Sequence, residues 1–270
     1  MSIWLYQRAS RNFAELIGVT RCPFCETDLS SLHSDSHRTE TGGEDVNWVK
    51  DTELEAWLCP ACGWWNIKRY ELGYPISKEL MEGGEIIRGA AASLREFDLT
   101  DVSAPLEEVR AYLVARYEER HRIHPRVFEE TVGSVFRDLG YQAEVTAYSG
   151  DGGIDVILTK NSQEIGVQVK RYRGKIQVDQ IRELAGALLL RGLTNGIFVT
   201  TSSFQKGVTK TAKAYRKRGY AIELVDADRF FDALKITQRP AYVSFKELTD
   251  SVGIDVNKLD DTGKGGGPFY

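Results

Sequence analysis

No stretch of this 270-residue chain approaches the ~18 consecutive apolar residues of a membrane-spanning helix, so no such span is expected. The opening segment, Met1-Ser-Ile-Trp-Leu-Tyr-Gln-Arg8, lacks the basic segment and apolar core of a secretory leader, which points to a cytoplasmic location. There is no internal repeat, so a repeat array is not expected. Net positive charge is also missing. The formal charge is −4, which on average argues against a polyanion partner. Cysteine is scarce, with four in all, none beyond residue 62. What remains is ordinary globular composition, 42% hydrophobic and 27% charged, long enough for one large or two modest domains.

The charge is unevenly spread. Residues 120–239 hold 20 Lys and Arg against 13 Asp and Glu, whereas the remainder holds 15 against 26. A basic segment inside an acidic protein suggests a local polyanion surface; solvated helix faces that differ by chance are the plainer explanation.

The four cysteines form two pairs, Cys22-Pro-Phe-Cys25 and Cys59-Pro-Ala-Cys62-Gly63. Two thiolates three positions apart on a tight turn can face one ion, and Zn²⁺ takes four such ligands in a tetrahedron. In a cytosolic chain, as expected here, such pairs indicate metal before disulfide. Proline after each first cysteine and Gly63 after the second pair suit the turns. Val46–Val49, Glu53–Leu58 and Trp64–Ile67 look like strands, so residues 1–78 resemble a zinc ribbon. A redox dithiol is the rival, but neither pair lies near a βαβ unit. His33 and His37 lie in Ser-rich polar sequence, where exposed loop histidines are expected rather than ligands. Four thiolates leave the ion no open position, so the site is structural. Trp48, Trp57, Trp64 and Trp65 suit core packing or base stacking.

Residues 79–104 read as a linker, with a short helix at Gly89–Leu94. From 105 the pattern changes. Ser103-Ala-Pro105 starts a helix with Leu106, Val109, Leu113 and Tyr117 on one face. A second helix runs from Pro125 to Leu139 and closes at Gly140. Its apolar face is bordered by Glu129, while Glu130 aligns with Gly133, Ser134 and Arg137 on a polar side. Strands at Gln142–Ala147, Ile154–Thr159 and Glu164–Arg171 follow. Then come a helix at Gln177–Leu190 with Val178, Ile181, Ala185, Leu188 and Leu189 inward, a central parallel strand at Gly196–Thr200, and a helix at Phe204–Arg218. A strand at Tyr220–Val225 and a helix at Asp228–Leu234 end the unit. The expectation for 105–238 is an α/β domain, a mixed sheet flanked by helices in the order αβββαβαβα. Residues 239–270 are an extension with a Gly-rich tail.

The polar turn Ser149-Gly-Asp-Gly-Gly-Ile-Asp155 and the strand Gly166-Val-Gln-Val-Lys170 carry the chemistry. If the hairpin centres on the four-residue loop Lys160-Asn-Ser-Gln163, Asp155 lies opposite Gln168 with Lys170 diagonal to it. The period of two puts Gln168 and Lys170 on one face. An Asp and a Gln carbonyl suit Mg²⁺ or Mn²⁺, Glu129 would add a second carboxylate, and Lys170 can stabilise developing charge. That set suits metal-assisted phosphodiester hydrolysis. Each residue alone has a duller explanation: a turn aspartate, an edge lysine, a boundary glutamate.

Taken with Pro125-Arg-Val-Phe-Glu129, Leu139-Gly-Tyr141, Gln168-Val-Lys170-Arg-Tyr172, Ala185-Gly186, Gly196–Ser202 and Phe204, these motifs resemble the catalytic domain of Mrr-like restriction endonucleases, in the PD-(D/E)xK nuclease fold. The resemblance covers about residues 105–236. It implies that Asp155, Gln168 and Glu129 hold Mg²⁺ or Mn²⁺, with Lys170 completing the site, in a DNA endonuclease of restriction or defence. Val169 stands where relatives often have Cys, on the opposite side of the strand. Arg171, Arg173 and Lys175, with Lys206, Lys210, Lys213 and Lys217 along one helix face, are then candidate phosphate contacts, and Ser202 and Thr201 a phosphate contact or a local cap. Expected partners are DNA and either a second copy or a defence-system protein. A DNA-binding sensor without catalysis and a repair or junction-resolving nuclease are the alternatives.

Overall fold

The computed structural model describes residues 5–10, 12–42, 47–76, 83–147, 152–238 and 243–264. The chain divides into two units, Met1–Glu96 with Arg239–Tyr270, and Phe97–Gln238.

The first unit is a β-meander. It contains β1 (Tyr6–Arg8), β2 (Ser30–Gly42), β3 (Asn47–Leu58), β4 (Trp65–Pro75) and β5 (Gly84–Leu94), in the spatial order β1-β5-β4-β3-β2, all antiparallel. Trp64, Trp65, Ile67, Ala56 and Ala90–Ala92 form its core, and the Trp64 indole donates to the Ala92 carbonyl at 2.9 Å. The ribbon is therefore larger than expected. The Ser-rich segment at 30–42 is not a loop. It pairs along the whole of β3, from Ser30 with Leu58 to Gly42 with Asn47, so the strand is specified by its ladder rather than its polar side chains. Within it, His33 stacks on Phe245 at 4.3 Å.

Gly89–Leu94 is strand, not helix. A Cβ at Gly89 would lie 2.7 Å from Ile17 Cδ1, and Ala90–Ala92 are buried. Tertiary packing of small residues overrides the helix propensity of an alanine run. The expected linker thus begins no earlier than Arg95.

The second unit begins with α1 (Leu106–Ala115) and a 3₁₀ turn at Tyr117–His121, then α2 (Pro125–Asp138). It continues with β6 (Gln142–Val145), β7 (Val156–Lys160), β8 (Gln163–Lys170), α3 (Val178–Leu190), β9 (Asn195–Thr200), α4 (Lys206–Arg216), β10 (Ala221–Val225) and α5 (Ala227–Ile236). The sheet order is β10-β9-β8-β7-β6. β6, β7 and β8 are antiparallel; β8, β9 and β10 are parallel. This is the mixed, helix-flanked sheet expected from the sequence.

α3 covers one face. A Cβ at Gly166 would meet Leu188 Cδ2 at 2.8 Å and one at Gly196 would meet Leu188 Cδ1 at 2.6 Å, so only glycine lets the helix sit this close. α2 covers the other face, where Gly133 sits 3.1 Å (by its Cβ position) from Val145 Cγ2. Three expectations change here. The Ser103 hydroxyl bonds Asp101 at 2.6 Å and does not cap α1, whose N-cap is Pro105. The supposed polar side of α2 is buried at Gly133, which faces Val145 of β6, and at Ser134, which Arg110 of α1 reaches. Leu189 is 62% exposed, and Leu184 takes the inward place. Arg110 itself is 9% exposed and joins Asp138 at 2.6 Å to the Thr237 carbonyl at 2.7 Å.

The last described segment returns to the first unit. α6 (Phe245–Val252) starts with a reciprocal Ser244–Glu247 cap, and β11 (Asp260–Asp261) pairs with β5. Residues 243–264 are thus part of that unit's fold, not an appendage. Residues 265–270 of the Gly-rich tail lie outside the described residues. No helix among the described residues is long and apolar enough to cross a membrane.

Candidate functional site

The cysteine cluster closes as its spacing requires. Cys22, Cys25, Cys59 and Cys62 are all buried and their sulfurs lie within 4.8 Å of one another, with Cys22–Cys62 and Cys25–Cys59 each at 3.5 Å. Tetrahedral Zn–S bonds of about 2.3 Å set sulfurs about 3.8 Å apart, so the cluster fits one ion. Both knuckles turn alike. Glu26 N donates to Cys22 O and Gly63 N to Cys59 O, each at 3.0 Å, and the residue after each second cysteine is left-handed, Glu26 at φ 59° and Gly63 at φ 87°. Contacts with the Cys22 sulfur push Cys25 and Cys59 toward thiolate, while sulfur crowding holds Cys22 and Cys62 protonated in the absence of a cation. His33 and His37 lie on β2, outside this cluster.

The second centre is built on the β7–β8 hairpin. Asn161 (φ 51°) and Ser162 (φ 62°) form a two-residue turn with both centres left-handed, the turn whose twist matches antiparallel strands. That fixes Lys160 opposite Gln163 and Val156 opposite Val167. Asp155 N donates to Val167 O at 2.8 Å, which extends the ladder and sets Asp155 opposite Gln168. The register anticipated from the sequence is the register found.

Asp155 is fixed from three sides. Its Oδ2 accepts from Val169 N at 2.6 Å; its carbonyl accepts from Thr146 N at 2.9 Å and from the Thr146 hydroxyl at 3.1 Å. Gly152 (φ 63°) and Gly153 (φ 87°) deliver the chain to it in a conformation that side chains resist. A Cβ at Gly153 would stand 3.6 Å from Gln168 Nε2. Ser149–Asp151 lie outside the described residues.

Gln168 is 8% exposed, and its Oε1 is buried with no hydrogen-bond partner among the described residues. A buried amide oxygen without a donor is costly by itself, at about 1–3 kcal/mol. Facing a carboxylate across a strand pair, it is a donor atom suited to a hard cation. Lys170 ends the same strand, half-buried, beside Thr200 of β9. Gln168 and Lys170 share the α3 face with Gly166, so the structure groups them with Asp155 at one end of the sheet.

Glu129 comes from outside the strands, on α2. Its Oε2 pairs with Arg126 at 3.3 Å, and Arg126 also donates to Thr146 O at 2.6 Å, the residue that holds Asp155. Arg126 is thus the link between the helix glutamate and the strand aspartate. Sequence inspection missed it because an arginine at the second helical position has no signature of its own.

The basic residues divide in two. Arg171, Arg173 and Lys175 are exposed on the loop after β8; Lys206, Lys210, Lys213 and Lys217 are exposed along α4. Val208 and Ala212 bury the other side of α4 as expected. Ser202 is 9% exposed and its hydroxyl donates to Arg173 O at 3.4 Å; the Thr201 hydroxyl accepts from Tyr172 N at 2.9 Å and donates to Tyr172 O at 3.1 Å. These hydroxyls brace the basic loop from behind.

Parts of the chain are similar to known proteins. Residues 120–234 match the restriction endonuclease family of Mrr catalytic domains. Over 116 residues the chain is 28% identical to the type IV methyl-directed restriction enzyme EcoKMrr of Escherichia coli strain K12; this covers 40% of the chain and 37% of the relative. The chain therefore spans well under half the length of that relative. Among solved structures, the MspJI restriction endonuclease in complex with a 27-mer oligonucleotide is similar over 62% of this chain and 39% of that one, at 20% identity and a TM-score of 0.35. Residues 120–234, which run from the 3₁₀ turn before α2 into α5 and include the expected mixed sheet, are thus similar to the restriction endonuclease family of Mrr catalytic domains.

Proposed function

We propose that this chain is a metal-dependent DNA endonuclease acting in restriction or defence, with foreign or modified DNA as its substrate. The observation that carries the proposal is the buried, unpartnered Gln168 Oε1 opposite Asp155. Asp155, the Gln168 carbonyl and Glu129 would hold Mg²⁺ or Mn²⁺. Such an ion supplies Lewis-acid polarisation of the phosphodiester and a lowered pKa for water.

The protein groups have separate tasks. The Val169 N–H and Thr146 hold the Asp155 carboxylate and backbone in place, so it needs no reorganisation. Arg126 pairs with Glu129 and also holds the Thr146 carbonyl, which links Glu129 to the residue that fixes Asp155. Lys170 offers an ammonium to the charge that builds on the phosphoryl oxygens. Arg171, Arg173 and Lys175, with the α4 lysines, carry the sequence-independent attraction to DNA, and Ser202 steadies the first group. The four-cysteine unit, holding Zn²⁺, is structural and contributes to choosing the target. The E. coli relative is described as methyl-directed, so methylated DNA is the first substrate to offer. Cutting both strands calls for two centres, hence a second copy or a defence partner.

The test is cleavage of supercoiled plasmid, methylated and unmethylated, with Mg²⁺ or Mn²⁺. Wild type should nick or linearise one of them, and Asp155→Ala and Lys170→Ala should not. DNA binding without cleavage by wild type would establish a sensor instead, and preference for branched over linear duplex would establish a junction enzyme.

A further inference from the structure

A cleft of about 370 Å³ opens just past the end of β8, lined by His121, Arg171, Tyr172 and Arg173. Arg171 and Arg173 are candidate phosphate contacts by sequence, whereas His121 and Tyr172 are not, and the metal centre uses none of the four. Among the described residues no carboxylate lines the cleft, and neither Arg171 nor Arg173 has an ion-pair partner.

The walls are held in place. Arg171 donates to the His121 carbonyl at 3.3 Å, which ties the loop to the 3₁₀ turn before α2. Thr201 grips Tyr172 by both its N–H and its carbonyl, at 2.9 and 3.1 Å. A Cβ at Gly174 would stand 2.9 Å from Tyr172 Cε1, so the loop backbone supports the exposed ring from one side. Opposite, the His121 Nδ1 is buried without a partner. An unbonded buried acceptor costs less than an unbonded buried N–H, so the neutral ring carries its proton on Nε2, the nitrogen left at the cleft. Burial, then Arg120, Arg173 and Arg171, lower the His121 pKa. These arginines are the charged groups that face it from its own turn and from the loop. The cleft is therefore a cationic pocket with fixed donors and an aromatic wall.

We propose that this cleft is a phosphate subsite for the DNA strand beside the scissile position, with Arg171, Arg173 and His121 Nε2 bonding one phosphodiester and Tyr172 packing on the adjoining sugar or base. The proposal rests on the nuclease reading for the identity of the strand. Three residues of chain span at most about 10 Å, and one strand of a duplex advances about 3.4 Å per phosphate. A phosphate in the cleft is then roughly one to three nucleotides from one at Lys170. Its role is positioning: it fixes which phosphate reaches the metal centre.

The experiment follows the His121 ring proton by NMR in the full chain, free, with a 12-base-pair duplex, and with inorganic phosphate alone. An anion within about 4–6 Å favours the charged imidazole, so the His121 titration midpoint should rise by about one pH unit with duplex. In Arg171→Ala/Arg173→Ala that rise should disappear, and the slope of log Kd against log salt should fall by about 0.9, the value for one phosphate contact. The other histidines should keep their shifts, reporting an intact fold. No movement with duplex, or a rise that survives the double substitution, overturns the proposal. A rise with inorganic phosphate but not with duplex makes the cleft a free-anion site and also overturns it. None of these readouts needs strand cleavage, so an inert metal centre would leave them standing, and an empty cleft would leave cleavage standing.

Discussion

Gln168→Leu should stabilise the metal-free protein and weaken the metal-bound one. In the wild type, Gln168 is 8% exposed and its Oε1 has no hydrogen-bond partner among the described residues. Leaving such an atom unsatisfied costs about 1–3 kcal/mol, and an apolar side chain of similar volume removes that cost. Allowing for lost contacts of the amide nitrogen beside Gly153, the net gain should be about 1 kcal/mol, or about 3 °C in melting temperature for a unit of this size. Divalent metal reverses the order. A ligand at 100 times its Kd stabilises the native state by about 2.7 kcal/mol, roughly 8 °C on the same scale. Without the amide oxygen most of that is lost. Scanning calorimetry in EDTA and in saturating Mn²⁺ should therefore give curves that cross: the leucine variant melts higher than wild type in EDTA and lower in Mn²⁺. A variant that melts lower in EDTA, or gains as much from Mn²⁺ as wild type does, refutes the assignment of Gln168 as a metal ligand.

Metal analysis should find about one equivalent of zinc in wild type and none in Cys22→Ser or Cys59→Ser, and either variant should expose the first unit to proteolysis; full zinc in either variant contradicts the four-thiolate site. Arg110→Ala should lower the stability of the second unit by about 3 kcal/mol in urea titration, because Asp138 and the Thr237 carbonyl lose a shared buried partner. Glu71 is held below its ordinary pKa: burial raises it, but Lys50 at 3.0 Å, Arg88 and Arg69 at 2.8 Å outweigh that. A depressed carboxylate contributes stability above its unfolded pKa of about 4.3 and loses it as pH falls through the folded value. Acid unfolding of the first unit should accordingly steepen below about pH 4 in wild type and flatten in Glu71→Gln; identical acid curves would remove the claim.

The parts of the fold legible in the sequence are those set by short-range rules. A period of two and a turn between Asn161 and Ser162 suffice to oppose Asp155 and Gln168, and the ladder agrees residue for residue. Gly140, left-handed at φ 84°, ends α2 where a C-terminal glycine should. What escaped depends on partners far away in the chain. Ser30–Gly42 has a loop's composition but becomes a strand because β3 lies beside it, and Gly89–Ala91 become strand because they pair with Asn66–Lys68 of β4, with Ile17 packed close against Gly89. The return of residues 243–264 to the first unit, and the buried Arg110, which joins residues 127 positions apart, carry no local signal. At the site, the strand residues were visible, whereas Arg126 and His121 became visible only once α2 and its preceding turn were seen against the sheet.

Anomalous diffraction from a crystal of the full chain soaked in Mn²⁺ tests the central claim most directly. The account predicts a manganese peak in contact with an Asp155 carboxylate oxygen and Gln168 Oε1. No peak at saturating Mn²⁺, or one bound elsewhere while this pair stays empty, would contradict it.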